Sequence, residues 1–357
     1  MSEMKKAILY EKLGDDKVKC LACQHYCRIL PDRTGICGVR RNDKGDLYLL
    51  VYGKAAAVHV DPIEKKPLYH FLPGTAALSI GTIGCDFACR FCQNWDISQV
   101  PKEIKKKYQD LKEQKNQLGK IIDSGRNLLP EEIVSYAVNK NIPTIAYTYN
   151  EPAIFFEYAY DTAKLAHEAG IKNVFVSNGY ESKEAIEKIA PYLDAMNIDL
   201  KSYQEEFYLK MCQAKLAPVL ETIKRCHDLG FWLEVTTLII SGYNDAEEEL
   251  KKLAEFLVSI DPSVPWHISR FQPAYKMSSV PPTPVKALHK AYNIGKDTGL
   301  LYIYVGNVLD ADHESTYCPK CGELLIRRSG YTVEVMSFKN GKCGKCGEKI
   351  PGVWNHV

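Results

Sequence analysis

Three cysteines on one short loop constrain this chain most. Cys85, Cys89 and Cys92 sit in the run GTIGCDFACRFCQNWDIS, and the next cysteine along the chain is Cys212. Spacings of four and then three put three thiols on one tight turn, ready for three corners of an iron–sulfur cubane. A 4Fe–4S cluster normally takes four cysteine ligands. With three, one iron stays open, and an open metal position is where chemistry happens. Structural zinc prefers four closed ligands, usually on C-x2-C knuckles, and this triplet does not suit it.

The other cysteines repeat the theme. Of thirteen in the chain, eleven fall in three short-spaced clusters, and only Cys212 and Cys226 stand apart as core thiols. Cys318-x2-Cys321 and Cys343-x2-Cys346, in CPKCG and CGKCG, form the pattern of a zinc ribbon, each glycine permitting the knuckle turn. Zinc is the favoured metal there and a rubredoxin-type iron the alternative. Cys20, Cys23, Cys27 and Cys37 crowd into eighteen residues near the start. Zinc is the first choice for that quartet and a second iron–sulfur cluster the alternative, with His25 a hydrogen-bonding neighbour.

Clustered thiols in a chain of 357 residues, with no signal-type apolar segment in MSEMKKAILYEKLG, read as metal ligands in a reducing compartment. The expectation is a cytoplasmic, oxygen-sensitive metalloprotein with no membrane span. A net charge of +2 argues against a strongly basic nucleic-acid surface.

From Thr75 onward, apolar strands alternate with helices. Strands are expected at 76–81, 144–149, 173–178, 194–200, 231–240, 266–271 and 301–306. Helices are expected at 130–140, 153–169, 182–190, 217–229, 245–259 and 284–298. Pro130 followed by two glutamates starts a helix well, and Gly170, Gly230 and Gly299 suit left-handed helix ends. Such units build a parallel sheet covered by helices, open or curled toward a barrel. The charged stretch 101–129 interrupts the repeat as a solvated helix or mobile insert, a lid or docking role being the alternative.

The triplet, with Phe91 before its third cysteine, resembles the signature of the radical S-adenosylmethionine (SAM) superfamily. The stretch from Asp61 to Gln99 resembles the AmmeMemoRadiSam group, similar to pyruvate formate-lyase activating enzymes. The resemblance implies an α/β fold with a partial (β/α)6-type barrel at 75–310, an N-terminal cysteine-rich segment at 1–74 and the ribbon at 311–357. It implies a 4Fe–4S cluster whose open iron chelates SAM, which one electron splits into methionine and a 5′-deoxyadenosyl radical. By position it assigns SAM contacts to Tyr149, Asn150 and Glu151 in YTYNEP, to Ser177 and Asn178, and to Asp199 and Lys201 in NIDLK. Helix capping by Glu151 and a plain ion pair between Asp199 and Lys201 are the competing accounts. The activators carry an aspartate where Val176 stands.

Arg270, Gln272 and Asn307 are expected near the active site. His70 is expected to be a satisfied structural histidine rather than to line the substrate side. The resemblance also implies an electron donor such as a flavodoxin or ferredoxin, and association with Memo-like and AMMECR-type proteins. A glycyl-radical activase, an RNA-modifying enzyme and a non-enzymatic metal or electron carrier are the competing functions.

Overall fold

The structure, a computed structural model, describes residues 4–354. The chain divides into two compact units, Met1–Val60 with Ala77–Asp194, and Asp61–Ala76 with Ala195–Val357.

The first unit begins with a three-stranded antiparallel sheet of β1 (Tyr10–Lys12), β2 (Val18–Cys20) and β3 (Arg28–Ile29), followed by the hairpin β4 (Arg40–Asp43) and β5 (Asp46–Leu49). Three parallel strands then stand side by side: β6 (Ala76–Gly81), β7 (Thr144–Tyr147) and β8 (Lys172–Ser177). Ala77 lies opposite Thr144, and Thr144 opposite Lys172, so the three carboxyl ends share one edge. These strands are almost wholly buried, as expected of parallel strands covered on both faces.

Helices α1 (Val100–Lys107) and α2 (Leu111–Asp123) occupy the charged insert, and α3 (Pro130–Asn139), α4 (Phe156–Glu168) and α5 (Lys183–Ile189) pack the sheet. Pro130 opens α3, and the Glu132 carboxylate reaches back to the Leu129 amide at 2.6 Å. Ser182 caps α5 by accepting from Ala185 N at 3.0 Å. The insert is anchored helix, since Ile104 and Ile122 are buried.

The second unit repeats the strand–helix rhythm with β9 (Ala195–Asp199), α6 (Leu216–Asp228), β10 (Trp232–Ile239), α7 (Glu247–Ile260), β11 (Trp266–Arg270), α8 (Val285–Thr298) and β12 (Ile303–Gly306). Its four strands are parallel in chain order. Gly295 lets α8 approach closely: a Cβ there would lie 2.9 Å from Trp266 and Ile303. Gly170, Gly230 and Gly299 all take positive φ, at 75°, 80° and 109°, as helix ends require.

The unit closes with β13 (Thr316–Tyr317), β14 (Leu324–Ser329) and β15 (Thr332–Val335), followed by the short hairpin of Phe338–Lys339 and Lys342–Cys343. Leu325, Ile326 and Phe338 there share one apolar core with Tyr69, Tyr302 and Tyr304. The fold is mixed α/β, and among the described residues no helix is long and apolar enough to cross a membrane.

Candidate functional site

The loop after β6 carries the three cysteines at the shared carboxyl edge of the first unit. Cys85 and Cys89 are buried and Cys92 is half-buried. Asn150, past the end of β7, clamps the loop's entry. Its amide oxygen accepts from Thr82 N at 3.1 Å, and its nitrogen donates to Thr82 Oγ1 at 3.1 Å and Gly84 O at 2.8 Å. The exit is held by Asn94, whose side chain donates to Tyr149 O at 2.8 Å. Lys102 on α1 braces the middle, donating to Cys85 O and Phe87 O at 2.6 Å each. Ser98 Oγ lies 3.2 Å from Cys92 Sγ.

Three buried carboxylates surround this loop. Glu151 Oε1 caps the next turn by accepting from Ala153 N at 3.1 Å, and Oε2 accepts from Asn178 N at 2.8 Å. Ser177 Oγ stands 3.1 Å from both of its oxygens. Asp86 Oδ1 accepts from Asn178 Nδ2 at 2.8 Å and from Phe87 N at 2.9 Å, while Oδ2 is buried with no partner. Glu181 is 1 % exposed, and neither of its oxygens has a partner. Burial, with the neighbouring acids, pushes Glu151 well above the usual carboxylate range. Burial pushes Glu181 up to about 7. The Cys85 thiol is likewise raised, by burial and then by Asp86. A cationic group or a metal centre beside this loop would reverse those shifts.

The structure therefore brings Asn150 to the cysteine loop through Thr82 and Gly84, and Glu151, Ser177 and Asn178 to it through the Asn178–Asp86 bond. Tyr149, with φ at 71°, places its hydroxyl 3.1 Å from His59 Nδ1. Capping by Glu151 is real, but the carboxylate also ties β7 to β8. Asp199 and Lys201 belong to the second unit, where Lys201 Nζ meets Asp199 Oδ2 at 2.6 Å.

Elsewhere in that unit, Arg270 Nε donates to Thr283 O at 2.7 Å, and Asn307 borders a cavity of about 360 Å³ with Thr236, His267 and Ser269. His70 is fully buried between Pro351 O at 2.8 Å and the Tyr304 hydroxyl at 2.6 Å, the satisfied structural state. The ligand atoms of Cys318, Cys321, Cys343 and Cys346 all lie within 4.8 Å of one another. Cys318 and Cys346 sulfurs stand 3.6 Å apart, and those of Cys321 and Cys343 3.7 Å. Four thiols at about the edge length of a tetrahedron with 2.3 Å arms can hold one metal ion.

A model of the radical SAM superfamily matches residues 79–257, half of the chain, spanning the cysteine loop and both strand series. The chain belongs to the radical SAM superfamily. Members of this superfamily cleave SAM to a radical with a 4Fe–4S cluster, and three thiols on one loop, with no fourth on that loop, fit that cluster.

An uncharacterized protein of Methanocaldococcus jannaschii is 43 % identical over 351 residues, covering 97 % of this chain and 99 % of that protein. The 4-hydroxyphenylacetate decarboxylase activating enzyme of Clostridium scatologenes is 24 % identical over 116 residues, covering 32 % of this chain and 37 % of that protein. A solved domain of a pyruvate-formate lyase-activating enzyme from Bacteroides vulgatus is 22 % identical. It covers 45 % of this chain and 98 % of that domain, with a TM-score of 0.39.

Several residues of this radical SAM site carry no motif of their own. Asp86 is the one acid between the first and third cysteines of the loop. Glu181, Asn94 and Lys102 become part of the site only through the fold. In the second unit, His289 and His313 are both hydrogen-bonded to Asp310, at 2.6 and 2.9 Å.

Proposed function

We propose that this chain is a SAM-cleaving radical enzyme of the AmmeMemoRadiSam group, built on a partial (β/α)6-type barrel. One observation carries the reading: a three-thiol loop with no fourth cysteine, clamped at the strand ends by Asn150 and faced by Glu151, Ser177 and Asn178. When bound, the cluster and SAM supply a one-electron cleavage that yields methionine and a 5′-deoxyadenosyl radical.

This chain's residues do the rest. Cys85, Cys89 and Cys92 would hold the cluster, and with three thiolates for four irons one position would remain for SAM. Asn150, Asn94 and Lys102 hold the loop that carries the three thiols. Tyr149, Asn150, Glu151, Ser177 and Asn178, with Asp199 and Lys201, are the proposed SAM contacts. The buried side chains around Cys85 and Cys89 would help exclude water from bound SAM. The substrate that would give up a hydrogen is left unnamed by the motifs.

The finer readings follow the same resemblance. Cys318, Cys321, Cys343 and Cys346 hold a zinc ion as a structural ribbon, which their near-tetrahedral spacing supports. A flavodoxin or ferredoxin supplies the electron, and Memo-like and AMMECR-type proteins are functional associates in the cytoplasm.

The test is anaerobic reconstitution followed by dithionite reduction with SAM, measuring 5′-deoxyadenosine. Product from the native chain and none from Cys89→Ala is the expected result. A full cluster without 5′-deoxyadenosine removes the proposal. Deuterated candidate substrates, scored by label transfer into 5′-deoxyadenosine, then identify the hydrogen donor.

A further inference from the structure

The N-terminal cysteines border the radical loop. Cys20, Cys23, Cys27 and Cys37 line one narrow cleft together with His25, Arg40 and Asp86. Asp86 follows Cys85 directly, so one residue belongs to both cysteine sets. The backbones also touch. Gly84, just before Cys85, has φ at 100°, and a Cβ there would come within 2.8 Å of Cys37 O. Gly38, just after Cys37, lies so close to Pro101 on α1 that a Cβ would sit 2.3 Å from that ring. Gly84 is needed for the contact between the two loops, and Gly38 for the approach of the N-terminal loop to α1.

The cleft is furnished with unused hydrogen-bond donors. Arg40 is 1 % exposed and forks onto Glu157 at 2.7 and 2.8 Å, which leaves its Nε buried without a partner. His25 Nε2 is also buried without a partner. Buried polar groups ordinarily find partners, so these two side-chain nitrogens, beside the equally unpartnered Asp86 Oδ2 on the same cleft, point to a group that belongs there and offers the nitrogens an acceptor. Inorganic sulfide is such an acceptor. Backbone amides of His25, Ile36 and Val39 already point at the sulfurs of Cys23, Cys27 and Cys37 respectively, leaving the two side-chain donors for something else.

The sulfur spacing separates this quartet from the C-terminal one. The C-terminal thiols close to within 4.8 Å, as one ion requires. Among the described residues, no three thiols of the N-terminal quartet draw that close together. A cubane needs more widely separated thiolates, because its own irons and sulfides stand between them.

We propose that Cys20, Cys23, Cys27 and Cys37 bind a second 4Fe–4S cluster, closed to substrate, that relays electrons to the cluster at Cys85, Cys89 and Cys92. A low-potential one-electron protein carrier, of ferredoxin or flavodoxin type, reduces the quartet cluster from its 2+ to its 1+ state. The same electron passes to the loop cluster, returning the first to 2+. It is then consumed in breaking the carbon–sulfur bond of SAM. The destination of the electron rests on the function proposed above, whereas the existence of the second cluster does not.

The experiment uses the full chain, purified and reconstituted anaerobically, with iron, acid-labile sulfide and zinc counted per chain beside Mössbauer spectra. The Cys85→Ala/Cys89→Ala/Cys92→Ala variant is expected to retain about four irons and about four sulfides. Loss of all sulfide from that variant, with or without an additional zinc, overturns the proposal. Retention of that iron in a protein whose native form cannot cleave SAM leaves the cluster standing and removes the function instead.

The relay is read as a ratio. In Cys20→Ala/Cys23→Ala, cleavage driven by reduced flavodoxin should fall about tenfold or more relative to cleavage driven by dithionite. An unchanged ratio overturns the relay. His25→Phe keeps all four thiols and serves where the double variant does not fold. It is expected to shift the reduction potential of the cluster retained in the triple-alanine background, and an unshifted potential overturns the donor role of His25.

Discussion

Asn150 sets the path of the cysteine loop with one amide. Its three hydrogen bonds to Thr82 and Gly84 satisfy groups that are buried at the loop's entry. Asn150→Ala leaves those groups without partners, each at a cost of about 1–3 kcal/mol. Reconstituted iron at the loop should fall by about half or more, measured as iron per chain in a background lacking Cys20 and Cys23. Unchanged iron would show that the loop holds itself.

Arg40 and Glu157 form a second residue-scale dependency, a fork buried on both sides. Glu157→Ala strands the guanidinium in the core and should destabilise the fold by about 3–5 kcal/mol in urea titration. Arg40→Met with Glu157→Leu should restore most of that loss, because neither charge is then buried alone.

At the scale of elements, capping and strand-end chemistry decide the arrangement. Helix starts at Pro130 and Ser182, and helix ends at Gly170, Gly230 and Gly299, are local signals and were legible as such. Strand bounds matched the expected runs within about two residues for the same reason, since continuous apolar segments mark buried parallel strands. The role of Glu151 was not legible. Its capping bond is local, but its bonds to Ser177 and Asn178 join strand ends far apart in sequence.

The C-terminal cysteine module is another element whose dependence is non-local. Tyr69, Tyr302 and Tyr304 share its core, and Arg328 donates to Tyr69 O at 2.7 Å. Truncation after Ser315 should therefore destabilise the second unit, not merely remove a metal. Burying each such side chain contributes about 1.5–3 kcal/mol, so a loss of several kcal/mol is expected in thermal unfolding of the truncated chain. An unaltered transition would show the module to be independent. Cys343→Ala should lose one metal ion per chain while the iron at Cys85, Cys89 and Cys92 persists, read by metal analysis.

For the molecule as a whole, His70 is one contributor to acid sensitivity, beside the depressed carboxylates of Glu157 and Glu234. Burial lowers the pKa of His70 from 6.5 to about 4, with Glu234 opposing that shift and Arg328 adding to it. The unfolded chain takes up this proton first on acidification, so the stability present above pH 6.5 is lost as pH falls toward about 4. The effect is of order 3 kcal/mol for that residue. His70→Asn, which cannot titrate, should flatten the slope of unfolding free energy across that window. An equal slope in the variant would assign the acid sensitivity to other groups.

What the amino-acid sequence determined by itself is local: three thiols on one turn, strands and helices in alternation, and two knuckles spaced for one ion. Short-range spacing and backbone preference suffice for these, because each depends on residues a few positions apart. Only the tertiary structure decided that Asp86 borders two cysteine sets, that Arg40 and His25 bring spare donors to one cleft, and that Tyr69 completes the core of a module some 250 residues away. Those arrangements are settled by which buried groups must find partners once the chain is packed, and that condition acts across the whole fold.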